Sequence, residues 1–135
     1  KSTDEVFYLL FANRHFLVTF NQSLSEYLAS GKVEMPAGFL TPRGRLRRQS
    51  YIPAWAKKAV YCRDHGRCVL CGRDLTNLLS TDRYAHYDHI VPLNLWGVND
   101  PCNLQLLCDA CNLKKSGSVV QSRYAYPPWW PEDGA

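Results

Sequence analysis

Two Cys-x-x-Cys pairs, Cys68/Cys71 and Cys108/Cys111, stand with 36 residues between them in this chain. Each pair sets two thiolates on one side of a tight loop, and two such loops close a tetrahedral four-sulfur site with no open position. A site closed in that way is structural, and zinc is the ion that suits it. Disulfides in a secreted protein are the competing reading, and a lone pair would read as a redox motif. Two pairs at this spacing favour metal. The intervening segment is longer than a minimal zinc ribbon needs, so something is carried between the loops.

That segment holds Asp88-His89-Ile90-Val91-Pro92 and then Asn99-Asp100-Pro101-Cys102-Asn103-Leu104-Gln105; the second pair runs straight into Asn112-Leu113-Lys114-Lys115. An adjacent carboxylate and imidazole serve one site if the chain kinks there, one binding a cation and the other activating water. The bland alternative is a surface turn with a salt bridge. The coincidence of the cysteine bracket, the proline and the two asparagine runs weighs against it. His86 shares a strand face with Asp88, so it is a candidate to support the metal site, but a strand histidine with a satisfied hydrogen bond is the favoured reading. His65 reads as solvent-facing and His15 as packing.

The elements that must position these groups follow from local pattern. Tyr84 to Val91 is rich in strand formers and is ended by Pro92. Strict alternation puts His86, Asp88 and Ile90 on one face and Tyr87, His89 and Val91 on the other. Leu104 to Leu107 is a plausible return strand. A helix opening at Asp109 or Ala110 runs through Asn112 to Lys115, with Gly117 as its stop. The order is strand, loop, strand, helix, tied at the helix start by metal.

These residues resemble the HNH nucleases, whose core is a ββα-metal unit, over roughly Ile52 to Ser116. That family's pattern is an Asp-His-Ile-x-Pro strand, a central Asn, and a Cys-x-x-Cys followed at once by His or Asn. The resemblance implies an α+β fold, a small zinc-stabilised core with an N-terminal helical extension. It makes His89 the general base and Asp88 a ligand of a catalytic divalent cation. It makes Asn103 the residue that holds the loop and orients the base, and Asn112, in place of the final His, an amide ligand to the same cation. An amide oxygen suits Mg²⁺ or Mn²⁺ over Zn²⁺. The usual Gly-Gly after the proline is altered to Trp96-Gly97-Val98-Asn99-Asp100. The implied activity is hydrolysis of DNA phosphodiesters, with double-stranded DNA as the expected partner, restriction, phage packaging, homing and antiviral defence as compatible settings, and a homodimer or larger complex left open. A zinc-stabilised nucleic-acid-binding module without catalysis, and an RNA nuclease, are the alternatives.

Charge supports a polyanionic partner. Of the nine basic residues between Thr41 and Arg73, the six expected to touch nucleic acid are Arg43, Arg45, Arg47, Arg48, Lys57 and Lys58, and one acid, Asp64, interrupts the stretch. Such blocks bind phosphates by counterion release. Lys114 and Lys115 are expected to join them. At 135 residues the chain is one domain with appendages: residues 1–50 as a helical arm and basic linker, 51–120 as the nuclease domain, and 121–135 as an aromatic, proline-rich tail. No apolar run approaches the ~18 residues of a membrane span, and Val6 to Ala12, preceded by Asp4 and Glu5, is not a signal peptide. A reducing cytoplasm is the expected compartment, with Cys62 and Cys102 as small buried residues or free thiols. The only Met is Met35, so the chain reads as processed or as a piece of something larger.

In the arm, Lys1 to Ser30 looks helical; Asn13 and His15 are candidate breaks, so one helix and two short elements both fit. Ser23 and Glu26 form a capping-box pattern for a short helix from Leu24 to Ser30, with Gly31 as its stop. Met35 to Gly44 is a loop, and Arg45 to Ser50 is exposed. Pro53 to Tyr61 is a helix, with Trp55, Val60 and Tyr61 to pack. Leu75 to Arg83 is a polar loop, and Trp96 is expected to pack in the core, with stacking on nucleic acid as the alternative. An arm this short has no independent core, so it must pack on the nuclease or on a partner.

Overall fold

The computed structural model describes residues 2–49, 51–78 and 84–119. The tail beyond residue 119 and the end of the 75–83 loop lie outside them.

Helix α1 (Thr3–Phe11) opens on a capping box: the Ser2 hydroxyl accepts from the Glu5 amide, and the Glu5 carboxylate accepts from the Ser2 amide. Helix α2 (Arg14–Ala29) begins where Asn13 turns its side chain back to accept from the Phe16 amide. It is one continuous helix. The capping pattern at Ser23 starts nothing, because Leu17, Val18, Asn21 and Ser25 form one buried stripe that carries the helix through. Gly31 ends it with φ +72°. His15, expected to pack, is exposed, and Arg14 is buried instead.

The loop after α2 closes on itself by a bridge between Leu40 and Leu46, with Gly44 in the left-handed region at the turn. Helix α3 (Ala54–Arg63) follows Pro53. Val60 is fully buried, but Trp55 is 66% exposed, against the expectation that it packs. At the end of α3, Arg63 and Asp64 form a buried ion pair. Asp64 accepts from the Leu106 amide, and Arg63 donates to the carbonyls of Pro101 and Leu104, which moors the helix to the next strand. Arg63 is therefore a structural cation and not part of the basic surface.

Strand β1 (His86–His89) pairs antiparallel with β2 (Leu104–Leu107), Asp88 opposite Gln105 and His89 opposite Leu104. β1 is shorter than the Tyr84–Val91 run, because Ile90 and Val91 bend away into a loop. Helix α4 (Asp109–Lys115) follows β2 directly. Its stop is Ser116, at φ +47°, one residue before Gly117.

Two apolar clusters hold this together. One gathers Cys68, Val69, Leu75, Leu106, Leu107 and Cys108 around the cysteine loops. The other joins Leu17 and Val18 of α2 to Ile90. The arm thus packs on the β1–β2 unit, and Asn21 adds a hydrogen bond to the Cys102 carbonyl at 2.8 Å. Deleting a buried leucine of either cluster to alanine costs roughly 2–5 kcal/mol. Among the described residues no helix is long and apolar enough to cross a membrane.

Candidate functional site

The two cysteine loops meet. The sulfurs of Cys68, Cys71, Cys108 and Cys111 lie within 4.8 Å of one another. Cys71 and Cys108 are 3.8 Å apart, and a tetrahedron with arms of about 2.3 Å, the zinc–sulfur distance, has an edge of about 3.8 Å. Cys108 caps α4 and Cys111 sits in its first turn, while the Val69 amide donates to Leu106. An ion held here, such as zinc, joins the first loop, β2 and α4 at one point. Burial first, and then crowding by Cys108, Cys68 and Cys71, pushes the Cys111 thiol up from its ordinary value. Four thiolates at this spacing need a cation to neutralise them. All six cysteines are free of disulfides, and Cys62 is exposed rather than buried. Burial, ahead of the Asp100 carboxylate, pushes the half-buried Cys102 thiol up to about 11.

At the far end of β1 the chain presents Asp88 and His89 to one cavity of about 480 Å³. Its opposite wall is the turn between Leu40 and Leu46 and the residues after it, contributing Arg43, Arg45 and Arg48. Three of the eight basic residues expected to touch nucleic acid therefore stand over the Asp-His pair. Arg45 also lies over the Trp96 ring at 5.7 Å, and Trp96 is half-buried. Lys57, Lys58 and Lys114 are exposed elsewhere on the surface. Arg47 is exposed too, and its guanidinium turns back to the Leu40 carbonyl at 2.7 Å.

His89 Nε2 donates to Asn99 Oδ1 at 3.1 Å. Asn99 Nδ2 in turn donates to the Arg47 carbonyl at 2.9 Å, which fixes which way the amide points. The proton of neutral His89 is thereby held on Nε2, and Nδ1 is left with its lone pair. Burial lowers the pKa of His89 below its ordinary 6.5; the Asn99 bond and the Asp88 charge oppose this, and Arg48 and Lys115 add to it.

Asn103 does half of what was expected of it. Fully buried, it accepts from the Val91 amide at 2.9 Å and donates to the carbonyls of Val91 and Val98, each at 2.9 Å. It pins the loop from Val91 to Val98 from inside. It makes no bond to His89; orientation of the imidazole falls to Asn99, a role the sequence reading did not assign. The sign available in the sequence was a polar amide at the end of a short loop that begins just after the histidine. The single glycine retained in that loop is required: a Cβ on Gly97 would lie 1.9 Å from the Val91 carbonyl oxygen.

Lys115 is a correction. Expected to touch phosphate, it is 2% exposed. Its ammonium donates to Asp88 Oδ2 and to the His89 carbonyl, both at 2.8 Å. Gln105 Nε2 reaches the same Oδ2 at 3.1 Å. His86 finds its partner in Asp109, and His65, expected to face solvent, is half-buried at φ +57°. Along α4, Asp109 and Lys115 both reach β1. Asn112, one turn from each, lies on the same stripe between them. The half-buried Asn112 side chain has no hydrogen bond to Asp88 or His89 and is not in the cavity wall. The pair is thus brought together, and the carboxamide is placed beside it on the helix without converging on it.

A hard divalent cation fits this donor set. Mg²⁺ and Mn²⁺ need only one or two protein oxygens beside water and phosphate. Both bonds to Asp88 fall on Oδ2, so Oδ1 is engaged by neither of them, and Asp88 lines the cavity.

No curated protein and no solved structure matches the chain. Residues 68–118 match the model of the family described as HNH endonuclease. That span runs from the first cysteine loop through β1, β2 and α4, with the four-sulfur cluster at its two ends and the Asp-His pair between. This segment of the chain is similar to an HNH endonuclease domain.

Proposed function

We propose that the protein is a metal-dependent endonuclease that hydrolyses DNA phosphodiester bonds at the Asp88–His89 cavity. The observation that carries this reading is the arrangement of His89: its Nε2 proton engaged by Asn99, its Nδ1 lone pair free, and its ring on a cavity walled by arginines. Neutral His89 takes a proton from the attacking water, a contribution of roughly 10²–10⁴-fold in such systems. Asn99 holds the imidazole in the tautomer that can do so. Arg43, Arg45 and Arg48 bind the phosphate and set it against His89. Asp88, with the Asn112 carboxamide nearby on α4 as a candidate second donor, would hold a Mg²⁺ or Mn²⁺ ion, whose charge would offset the charge that develops on the phosphate and leaving oxygens. Cys68, Cys71, Cys108 and Cys111 would hold a structural zinc, which would tie β2 and α4 together beside the pair.

The test is nicking of a supercoiled plasmid with Mg²⁺ or Mn²⁺, by wild type and by His89→Ala. Loss of nicking by at least about 100-fold, with folding and DNA binding retained, is expected. Equal nicking by the variant overturns the assignment. An RNA strand in the same assay reports on the alternative substrate, since the mechanism needs no 2′-hydroxyl.

One observation favours a second reading, a nucleic-acid-binding module without catalysis. The Lys115 ammonium already neutralises Asp88. Binding of DNA with no cation-dependent cleavage by wild type would support it.

A further inference from the structure

His89 is shared between two cavities. Beside the arginine-walled one lies a second, of about 280 Å³, which also has Arg48 and His89 in its wall. Its character is different. Tyr51 and Trp55 line it and are 69% and 66% exposed. Tyr87, on the same face of β1 as His89, lines it too. Two large rings standing mostly in water beside a candidate catalytic histidine are unfavourable in the free protein, and packing does not account for them. The volume falls just under the ~300 Å³ where clefts for drug-sized ligands begin. That is the scale of a ring system rather than of a folded peptide.

Charge narrows the occupant. Arg48 stands at the shared wall, Lys57 lies over the Tyr87 ring at 5.7 Å, and Lys58 is exposed on the same helix. A ligand with a phosphate in the first cavity therefore carries its next covalent group past Arg48 and His89 into the second. For a nucleic acid that group is a sugar and a base. Base–aromatic stacking is tolerant of sequence, because every base has a π face.

We propose that the cavity formed by Tyr51, Trp55 and Tyr87 is a stacking site for a nucleobase next to the phosphate at His89, so that this base is unpaired or flipped out of its duplex. The inference rests on the phosphodiesterase reading and specifies its substrate. Unstacking a paired base is costly, and the cost is least for a base that is already single-stranded or mismatched. The site thus favours single strands, gaps and distorted duplexes over regular ones.

The test is a binding measurement, so it does not depend on cleavage. A short fluorescein-labelled single strand is titrated with protein in the absence of added divalent cation. A strand with the same phosphates but abasic deoxyribose throughout is titrated in parallel. Wild type should bind the intact strand about 10-fold tighter than the abasic one. Trp55→Ala and Tyr51→Ala should each lose most of that preference and keep their affinity for the abasic strand within about 2-fold. Both side chains are mostly exposed, so the variants fold. Three outcomes overturn the proposal: no preference in wild type, variants that keep the preference, and variants that weaken both strands equally, which marks a backbone contact. Sedimentation provides a further check, because a wild-type dimer that Trp55→Ala dissociates would assign the rings to a second copy of the chain. Plasmid nicking without a stacking preference sinks this inference alone. A stacking preference without nicking sinks the hydrolase alone.

Discussion

Asn99 accepts the Nε2 proton of His89 at 3.1 Å because its own amide nitrogen is held by the Arg47 carbonyl at 2.9 Å. The orientation of the imidazole therefore depends on a backbone atom 42 positions away, in the arm that precedes the family-matched segment. Asn99→Ala removes the acceptor without touching Asp88 or the cysteine cluster. The expected result is a drop in kcat of about 10–100-fold with little change in KM or in cation affinity. Asn99→Asp keeps an acceptor facing the ring and should recover part of the loss. An unchanged kcat in Asn99→Ala would show that His89 is oriented by something else.

The direction of the pH dependence follows from the environment of His89. Burial is the largest influence and favours the neutral ring, and Arg48 and Lys115 push the same way. A divalent cation at Asp88 acts in that direction too. The base is neutral above its pKa, so kcat/KM should rise with pH through a limb lying below 6.5, the ordinary histidine value, and then level off. Replacing Arg48 with Gln removes one of the groups that lower the pKa, so the limb should move to higher pH. A limb that stays put, or moves down, would exclude His89 as the titrating group.

Much of this arrangement was legible in the sequence, and the parts that were not share a physical cause. The cysteine spacing placed four sulfurs together. The apolar run Leu104–Leu107 gave the second strand at its observed bounds. These are local patterns with one dominant solution. Ser23 misled because a capping residue is a weak preference, and the buried stripe of α2 overrides it. Lys115 misled because a lysine after a basic neighbour reads as surface, whereas a carboxylate 27 positions upstream gives its ammonium a partner inside. Trp55 misled because a tryptophan on a short helix reads as core. For Ser23 and Lys115 the deciding contact is between segments far apart in the chain, and such contacts leave little trace in local pattern.

Lys115 offers a test of how the cation site is tuned. Its side chain is 1% exposed and bridges Asp88 Oδ2 and the His89 carbonyl. Removing one partner of a buried ion pair is costly, so Lys115→Met should lower stability by about 3 kcal/mol in denaturant unfolding. The ammonium also competes with any divalent cation for Asp88. Cation affinity should therefore rise in the variant, read as a lower Mn²⁺ concentration for half-maximal nicking, or as tighter Mn²⁺ binding by calorimetry if nicking is lost. Unchanged Mn²⁺ affinity would mean that Lys115 is purely a structural tie between α4 and β1.

The cysteine cluster makes the strongest demand on stability. Cys68 and Cys108 belong to the larger apolar cluster, and Cys108 and Cys111 form the start of α4. A metal that binds only the folded arrangement contributes its binding free energy to folding. Removing it separates the first loop from α4, and the Asp109–His86 and Lys115–Asp88 contacts that α4 carries are lost with it. Stripping zinc with a strong chelator, or replacing Cys108 with Ser, should abolish the cooperative thermal transition and most of the ordered circular-dichroism signal around β1, β2 and α4. Added Zn²⁺ should restore both in the chelated wild type but not in the variant. The stoichiometry should be one zinc per chain by elemental analysis, separate from any Mg²⁺ or Mn²⁺ required for nicking. Retention of the folded signal after verified loss of zinc would show that the apolar cluster alone holds the cysteine loops together.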